Sequence, residues 1–261
     1  LTIGVMFVTA AISTLSGLWG VLVTDFFQFT LIMIMVIVLA AFAISSVGGI
    51  GELVSGLKNV EQTSGASGSV LSFVPSLDST WMPLITFFVY LAVNWWASWY
   101  PGAEPGGGGF IAQRILSAKN EKHSLLATLW FNIAHYALRP WPWILVALVA
   151  IYKFHGDPAF TADPESGYIR ILILDLPAYL RGLMVAGFLA AYMSTIATEL
   201  NWGASYLVND LYRRFLIRDR SERHYVIISQ LTTMSLMILS AIVTFYMESI
   251  ADAWKFIIAL G

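Results

Sequence analysis

Three hydroxyl side chains recur at helical spacing within a long apolar stretch. Positions 191, 194, 195 and 198 of the run Ala190-Ala-Tyr-Met-Ser-Thr-Ile-Ala-Thr-Glu199 stand three or four residues apart, so they share one helix face. Ser194, Thr195 and Thr198 on that face offer hydroxyl oxygens, which are ligands for a hard cation. Such residues inside membrane helices more often bond their own backbone or a neighbouring helix. The pattern alone therefore favours helix packing over an ion site.

Four ionisable side chains in apolar stretches are further candidates for chemistry. Glu199 follows the hydroxyl face by one turn, and its carboxylate needs a partner or a cavity unless it lies at the water interface. Asp25 precedes an apolar run, so it is a candidate helix cap and equally a candidate for an ion route. Arg139 is expected to pair with an acidic group or a carbonyl. His135 is expected to be a packing residue, because no second histidine or cysteine accompanies it.

The segment Trp99-Tyr-Pro-Gly-Ala-Glu-Pro-Gly-Gly-Gly-Gly109 contains two prolines and five glycines, which cannot sustain a regular helix. Irregular backbone at membrane depth is tolerated where it is buried in protein or lines a cavity, and transporters use it for substrate and ion sites. The alternative is an extramembrane loop, which is disfavoured because residues 110–116 are too few to cross alone. The Walker pattern fails, since no Lys-Ser/Thr pair follows the glycines. We therefore expect 99–109 to be non-helical and to face a cavity.

Membrane-spanning helices must position these residues. The chain is 58% hydrophobic and 11% charged, with a mean hydropathy of +0.74, whereas soluble domains are about 25% charged. Residues 26–43 carry no charge, and such runs match the thickness of a bilayer core without the alternation of barrel strands. The composition predicts an all-α transmembrane bundle in a lipid bilayer. The net charge of -2 indicates no nucleic-acid partner, and the absence of cysteine excludes disulfides and thiolate metal sites.

Hydrophobic periodicity divides the chain into successive helices separated by polar loops. A Gly/Ser-rich loop is expected after residue 46, and a short surface helix is expected over 169–176. A partial helix is expected over about 1–16. Full spans are expected over roughly 22–46, 124–152, 180–212 and 226–247. A further span is expected to begin near residue 81 and to be interrupted at 101–109, and a last, partial one is expected to begin near 252. Because both ends lie inside apolar runs, we interpret the chain as the middle of a longer protein.

Basic residues indicate the orientation of the spans. One short loop carries Arg114, Lys119 and Lys122, and another, two crossings later, carries a cluster of five arginines between 213 and 223. The loops on the other side of the membrane contain basic residues mixed with acidic ones. The positive-inside rule places both basic loops in the cytoplasm.

Three segments resemble the sodium/solute symporter family, which includes sodium-coupled sugar, proline and pantothenate carriers. They are Gly17-Leu-Trp-Gly-Val-Leu-Val-Thr-Asp-Phe-Phe-Gln28, Gln113-Arg-Ile-Leu-Ser-Ala-Lys119, and Gly187-Phe-Leu-Ala-Ala-Tyr-Met-Ser-Thr-Ile-Ala-Thr-Glu-Leu-Asn201 running on to Asn209-Asp-Leu-Tyr212. They occur in the family's order, and the resemblance covers essentially the whole chain. The resemblance implies a core of five-plus-five inverted-repeat helices, of which this chain would cover core helices four to ten.

The resemblance also implies roles for individual residues. The carbonyl of Ala191 and the hydroxyls of Ser194 and Thr195 match the family's sodium ligands on core helix eight. Asp25 matches an acidic residue at the cytoplasmic start of core helix five, on the sodium exit route, and Glu199 is a second candidate for the cation pathway.

The broken segment falls in the family's core helix six, which carries substrate-contacting and gating residues. Trp99 and Tyr100 are similar in type to the family's aromatic gate, and Glu104 joins them as a candidate substrate-binding or gating residue. Residues 101–109 look like an insertion relative to sugar carriers, so the resemblance does not identify the solute.

These observations together predict a sodium-coupled symporter of a small polar solute that works by alternating access and has no enzymatic activity. The chain would be part of a single, multi-pass transporter domain in a bacterial plasma membrane. Two alternatives remain open. One is an intramembrane enzyme that uses His135 with Glu104 or Glu199, and the other is a sensor with a symporter-like receptor domain.

Overall fold

The computed structural model describes residues 2–64, 69–74, 83–93 and 109–246, and within those ranges it contains helices and their connections but no β-strand. This confirms the all-α prediction. Two π-helical segments, Ile133–Leu138 and Tyr206–Leu216, directly continue α5 and α9. The α-helices are α1 (Thr2–Ser46), α2 (Ile50–Ser64), α3 (Leu84–Ala92), α4 (Gly109–Leu116), α5 (Glu121–Asn132), α6 (Pro140–Lys153), α7 (Pro158–Ala162), α8 (Ser166–Asp175), α9 (Ala178–Ser205) and α10 (Glu222–Thr244).

Four helical segments of the described chain are long and apolar enough to cross a bilayer. They are Gly20–Ser46, Glu121–Lys153, Ala178–Leu216 and Glu222–Thr244. Each overlaps a span that hydrophobic periodicity predicts, and the ends differ by a few residues. The spans expected to begin near 81 and 252 start outside the described residues, although α3 belongs to the first of them.

The expected break between residues 16 and 22 is wrong. The helix α1 runs without interruption from Thr2 to Ser46. Gly17 and Gly20 lower the helix propensity there, but unlike proline they keep the backbone donor of every turn. Asp25 consequently lies inside a helix, so its interpretation as a helix cap is also wrong.

The polar loop expected after residue 46 contains a helix that the sequence interpretation missed. Gly48 and Gly49 adopt positive φ angles of 89° and 101°, which turn the chain out of α1, and α2 then begins at Ile50. Leu53 and Leu57 stand four residues apart and are 2% and 0% exposed. The spacing of these two leucines was the available signal for an amphipathic helix.

The described chain forms two compact units. The first lies within Leu1–Leu31, Ala103–Ser124 and Gly187–Gly261, and the second within Ile32–Gly102 and Leu125–Ala186. In the second unit, α6 packs against α2 and α8, and the fully buried Val146, Val149 and Ile171 form part of the core. The expected short helix over 169–176 is α8, which buries Ile171 and exposes its opposite side.

A buried carboxylate fastens α8 within the second unit. Only 6% of the Asp175 side chain is exposed, and its Oδ1 accepts a hydrogen bond from Lys153 Nζ at 2.5 Å. Its Oδ2 accepts a second bond from Ser46 Oγ at 3.0 Å. Both carboxylate oxygens are therefore satisfied, which offsets the cost of burying the charge.

The contact between α2 and α6 depends on a glycine. A Cβ added at Gly56 would lie 2.1 Å from Cε2 of Tyr152, whereas a Cβ at Gly51 in the same helix meets no atom within 4 Å. We expect Gly56→Ala to lower the free energy of unfolding by about 1–3 kcal/mol through overpacking. Gly51→Ala is the matched control and should be neutral or stabilising, because alanine is the better helix former. Thermal unfolding of the purified variants measures the difference, and equal transition temperatures would contradict the predicted clash.

The first unit contains the hydroxyl face. Its core includes Leu200 of α9 and Met237 of α10, with Ile196 and Leu236 packed beside them. Gln230 of α10 also donates a hydrogen bond to the carbonyl of Thr14 in α1 at 3.3 Å. These contacts hold α1, α9 and α10 together around the residues described next.

Candidate functional site

The hydroxyl face of α9 meets the carboxylate of α1. Ser194 Oγ donates a hydrogen bond to Asp25 Oδ1 at 2.6 Å, although the two residues stand 169 positions apart. Ser194 is half-buried, and the Asp25 side chain is 23% exposed. Bonds between a hydroxyl and a carboxylate are short and roughly twice as strong as neutral ones. A residue proposed to bind the cation and one proposed to line its pathway are thus direct partners.

The other two predicted ligands lie beside Ser194 on the same helix: Thr195 directly follows it, and Ala191 is one turn earlier. Thr195 Oγ1 donates to the carbonyl oxygen of Ala191 at 3.2 Å, so the two oxygens are neighbours. A hydroxyl bonded to the preceding turn is also what ordinary packing of threonine in a membrane helix produces. The contact is therefore compatible with both interpretations of the hydroxyl face. The side chain of Thr195 is exposed, which leaves its oxygen accessible.

Arg114 completes this cluster, and the sequence interpretation assigned it only to a basic loop. It lies in α4, and its Nη2 is 3.3 Å from Asp25 Oδ2 and 2.9 Å from Thr198 Oγ1. Thr198 is 8% exposed, and the Arg114 side chain is 26% exposed. The available signal was a lone arginine within the apolar sequence of α4, since such a charge requires a partner.

The cluster brings together oxygen atoms of the types that hard cations prefer. Asp25 supplies a negative charge, and Ser194, Thr195 and the Ala191 carbonyl supply neutral oxygens, which is the donor set of a hard cation. Because the Ser194 hydroxyl donates its hydrogen to Asp25, its lone pairs remain for a cation. Arg114 places a positive charge against the same carboxylate. A cation that approached Asp25 would therefore compete with the Arg114 guanidinium.

Polar groups continue from Asp25 along α1. Thr24 and Gln28 line a cavity of about 10 Å³ together with Met193 and Ala197 of α9. The Oε1 atom of Gln28 is buried and has no hydrogen-bond partner among the described residues. A cavity of this size is close to what one water molecule needs.

The remaining predicted site residues have different outcomes. Glu199 is half-buried and has an interaction partner, so it is not a lone carboxylate. Trp99, Tyr100 and Glu104 lie outside the described residues, as does the predicted non-helical segment except for its last residue. That residue, Gly109, begins α4, so the prediction of a non-helical segment is wrong at this position.

His135 is a packing residue, as expected. Its ring stacks on Phe131 with centroids 5.2 Å apart and meets Tyr136 edge-on at 4.7 Å. Arg139 Nη1 lies 3.3 Å from His135 Nδ1, so its described partner is a histidine and not the expected acidic group or carbonyl. No group of three or more histidine, cysteine or acidic residues suited to a metal occurs among the described residues.

The family model described as the sodium:solute symporter family matches residues 1–260. The chain belongs to this family. The predicted family is thereby confirmed, and the sodium:solute symporter chain is a multi-pass membrane protein.

Curated relatives of this symporter-family chain include transporters of different solutes. It is 23% identical over 243 residues to the osmoregulated proline transporter OpuE of Bacillus subtilis. This match covers 92% of the present chain and 45% of OpuE. The chain is 26% identical over 264 residues to the sodium/myo-inositol cotransporter 2 of Sus scrofa, and this match covers 91% of the present chain and 37% of the cotransporter. The chain therefore spans less than half the length of these relatives.

A solved structure has the same fold. It is a Na⁺-coupled sialic acid symporter in a substrate-bound, outward-open state, and the two structures superpose with a TM-score of 0.71 at 17% sequence identity. The match covers 93% of the present chain and 49% of the symporter chain. The transporter fold expected from the resemblance is confirmed at this level. The division into five-plus-five inverted repeats and the assignment of the chain to a single domain stay predictions.

Proposed function

We propose that the full-length protein is a sodium-coupled symporter of a small polar solute in the cell membrane. The observation that carries the proposal is the contact between Ser194 and Asp25, which brings a carboxylate to the hydroxyl face of α9. Family membership and the transporters among the relatives support the same function. Alternating access requires no covalent chemistry, so we propose no enzymatic activity.

Sodium would be held by oxygens of the two helices. Ala191, Ser194 and Thr195 supply a carbonyl and two hydroxyls, and Asp25 supplies the charge. We assign Asp25 to the route by which the ion leaves, since it contacts a proposed ligand and lies against Arg114. Glu199, one turn beyond Thr195, would influence the electrostatic potential along that route.

The proposed solute is a small polar molecule. The relatives named above transport proline and myo-inositol, and the structural neighbour transports sialic acid; these are a zwitterion, a neutral polyol and an anionic sugar acid, and all three are small and polar. Trp99, Tyr100 and Glu104 are the proposed contacts or gates for that solute. Aromatic faces and a carboxylate suit a ring or aliphatic body that carries hydroxyl or amino groups.

Counterflow in liposomes tests the proposed function. The full-length protein is reconstituted with unlabelled proline, myo-inositol or sialic acid inside, and uptake of the same labelled solute is followed with sodium or with choline outside. We expect accumulation of one solute class in sodium and none in choline. Equal accumulation in both salts would contradict sodium coupling.

The charge pattern predicts the orientation of the protein. The basic segments 114–122 and 213–223, which include the helix ends beside the two loops, are expected to face the cytoplasm, and Glu165 is expected to face outside. Single cysteines at Lys119, Arg223 and Glu165 are suitable because all three side chains are exposed and the chain has no native cysteine. In a cysteine-free background, an impermeant thiol reagent applied to intact cells should label only the Glu165→Cys protein. Labelling of Lys119→Cys or Arg223→Cys from outside would contradict the topology.

A further inference from the structure

We propose that a cavity after α9 binds the phosphate group of an anionic ligand, with a membrane phospholipid headgroup as its first candidate source. The cavity measures about 400 Å³ and is lined by Arg213, Arg214, Arg218, Asp219 and Arg220, which we call the arginine pocket. It lies in the first unit, between the π-helical end of α9 and the start of α10. The inference does not depend on the proposed transport function.

The arginine pocket has more positive charge than its surroundings neutralise. Residues 213–223 contain five arginines and two carboxylates, Asp219 and Glu222. Glu222 is engaged by Arg213, with Oε1 and Nη2 2.9 Å apart. Among the described residues, no carboxylate lies within ion-pair distance of the guanidinium groups of Arg214, Arg218 or Arg220. Guanidinium groups bind phosphate oxygens in a bidentate manner, so three of them around one cavity favour a phosphate ligand.

The connection 217–221, which carries Arg218 and Arg220, is held in place by a buried tyrosine. Tyr225 is 4% exposed, and its hydroxyl donates to the carbonyl of Ile217 at 3.1 Å while accepting from the backbone N–H of Arg220 at 3.2 Å. Arg218 Nε donates to the carbonyl of Arg214 at 2.8 Å, which fixes the two neighbours to each other. Asp219 makes the turn with a φ of 61°. A loop ordered before binding loses less entropy when it takes a ligand.

Apolar side chains beside the pocket place it at the membrane boundary. Phe215 and Leu216 are 65% and 67% exposed, and they end the segment Ala178–Leu216 that is long enough to span a bilayer. The guanidinium of Arg214 lies 5.4 Å from the ring of Phe215. Basic residues directly after a membrane helix attract anionic headgroups, and the apolar neighbours can contact acyl chains.

The topology rule alone does not explain this geometry. A positive-inside bias requires basic residues in the loop, but it does not require them to converge on one cavity. Arg223 separates the two explanations, because it belongs to the same basic cluster, lies in the first turn of α10, and is exposed without lining the pocket. If binding requires a specific site, loss of Arg220 should weaken it and loss of Arg223 should not; if binding is only general charge attraction, the two losses should have equal effects.

The test compares Arg220→Gln with Arg223→Gln in the full-length protein. Each removes one charge, and the Arg220 side chain is not used to hold the loop, since only its backbone contacts Tyr225. Binding of phosphatidylglycerol is titrated by native mass spectrometry, with phosphatidylcholine as reference. We expect Arg220→Gln to weaken phosphatidylglycerol binding by about tenfold and Arg223→Gln to leave it within about twofold of wild type.

A second arm identifies the source of the phosphate. Failure of inorganic phosphate to displace phosphatidylglycerol supports a lipid headgroup, and displacement supports a soluble phosphate ester at the same arginines. Arg218→Lys provides a further check, because lysine keeps the charge and loses bidentate geometry, so it should also weaken binding. Equal losses in Arg220→Gln and Arg223→Gln, or no loss in either, would overturn the proposal and leave only general attraction between charges.

Discussion

Replacement of Asp25 by Asn is expected to raise the half-saturating sodium concentration of transport by about tenfold to a hundredfold, since bonds to a charged group contribute about 1.5–3 kcal/mol. Asparagine keeps the shape of the side chain and an oxygen that can accept from Ser194, whose Oγ lies 2.6 Å from Asp25. It loses the negative charge that makes the site attractive to a cation. Sodium-dependent uptake at several sodium concentrations measures the effect.

Arg114 provides the opposing variant. Its Nη2 lies 3.3 Å from Asp25 Oδ2, so it occupies the carboxylate that we assign to sodium. Arg114→Gln should lower the half-saturating sodium concentration in the wild-type background and have little effect in Asp25→Asn, because the competition requires the carboxylate. Lys119→Gln removes an exposed charge from the connection that follows α4 and serves as the control.

The double-mutant cycle separates competition for sodium from simple fastening of helices. If the ion pair only joins α1 to α4, both single variants should lower the thermal stability and leave the half-saturating sodium concentration unchanged. That result would remove Asp25 from the cation route. The proposed symport could still be supported by sodium-dependent counterflow.

The parts of the fold that the sequence predicted are those governed by local composition. The spans Glu121–Lys153 and Glu222–Thr244 follow directly from apolar runs of bilayer length. The unbroken helix through Gly17 and Gly20 was missed, because propensity is a weak guide where tertiary contacts such as Gln230 to Thr14 hold a helix in place. The helix α2 was missed because its polar composition concealed the paired leucines of its buried side.

The candidate site shows a different limit. Helical spacing placed Ser194, Thr195 and Ala191 together, since residues on one helix face are neighbours by geometry. It could not join Ser194 to Asp25 or Arg114 to Thr198, because partners 169 and 84 positions apart are set by how helices pack. One sequence contains no measure of that packing. The family motifs brought Asp25 and Ser194 into one hypothesis, but they did not indicate that the two side chains touch.

Replacement of Thr195 by Val tests whether the hydroxyl face binds sodium or only packs. Valine keeps the branched shape and removes the oxygen that lies 3.2 Å from the Ala191 carbonyl. Losing one neutral ligand should cost roughly 1–3 kcal/mol, so sodium affinity is expected to fall by about tenfold or more. Solute affinity at saturating sodium should change much less, because the two are linked through the bound ion.

Thr233 supplies the matched control for this substitution. Its Oγ1 donates to the carbonyl of Ser229 at 2.9 Å, the same bond to the preceding turn, and the residue is buried in α10, not on the hydroxyl face of α9. Thr233→Val should leave the half-saturating sodium concentration unchanged, whereas Thr195→Val should raise it. If both variants match wild type, the Thr195 hydroxyl bonds its own helix and does not hold the ion. A loss of stability without a change in sodium dependence leads to the same conclusion, because the loss of a sodium ligand would raise the half-saturating sodium concentration.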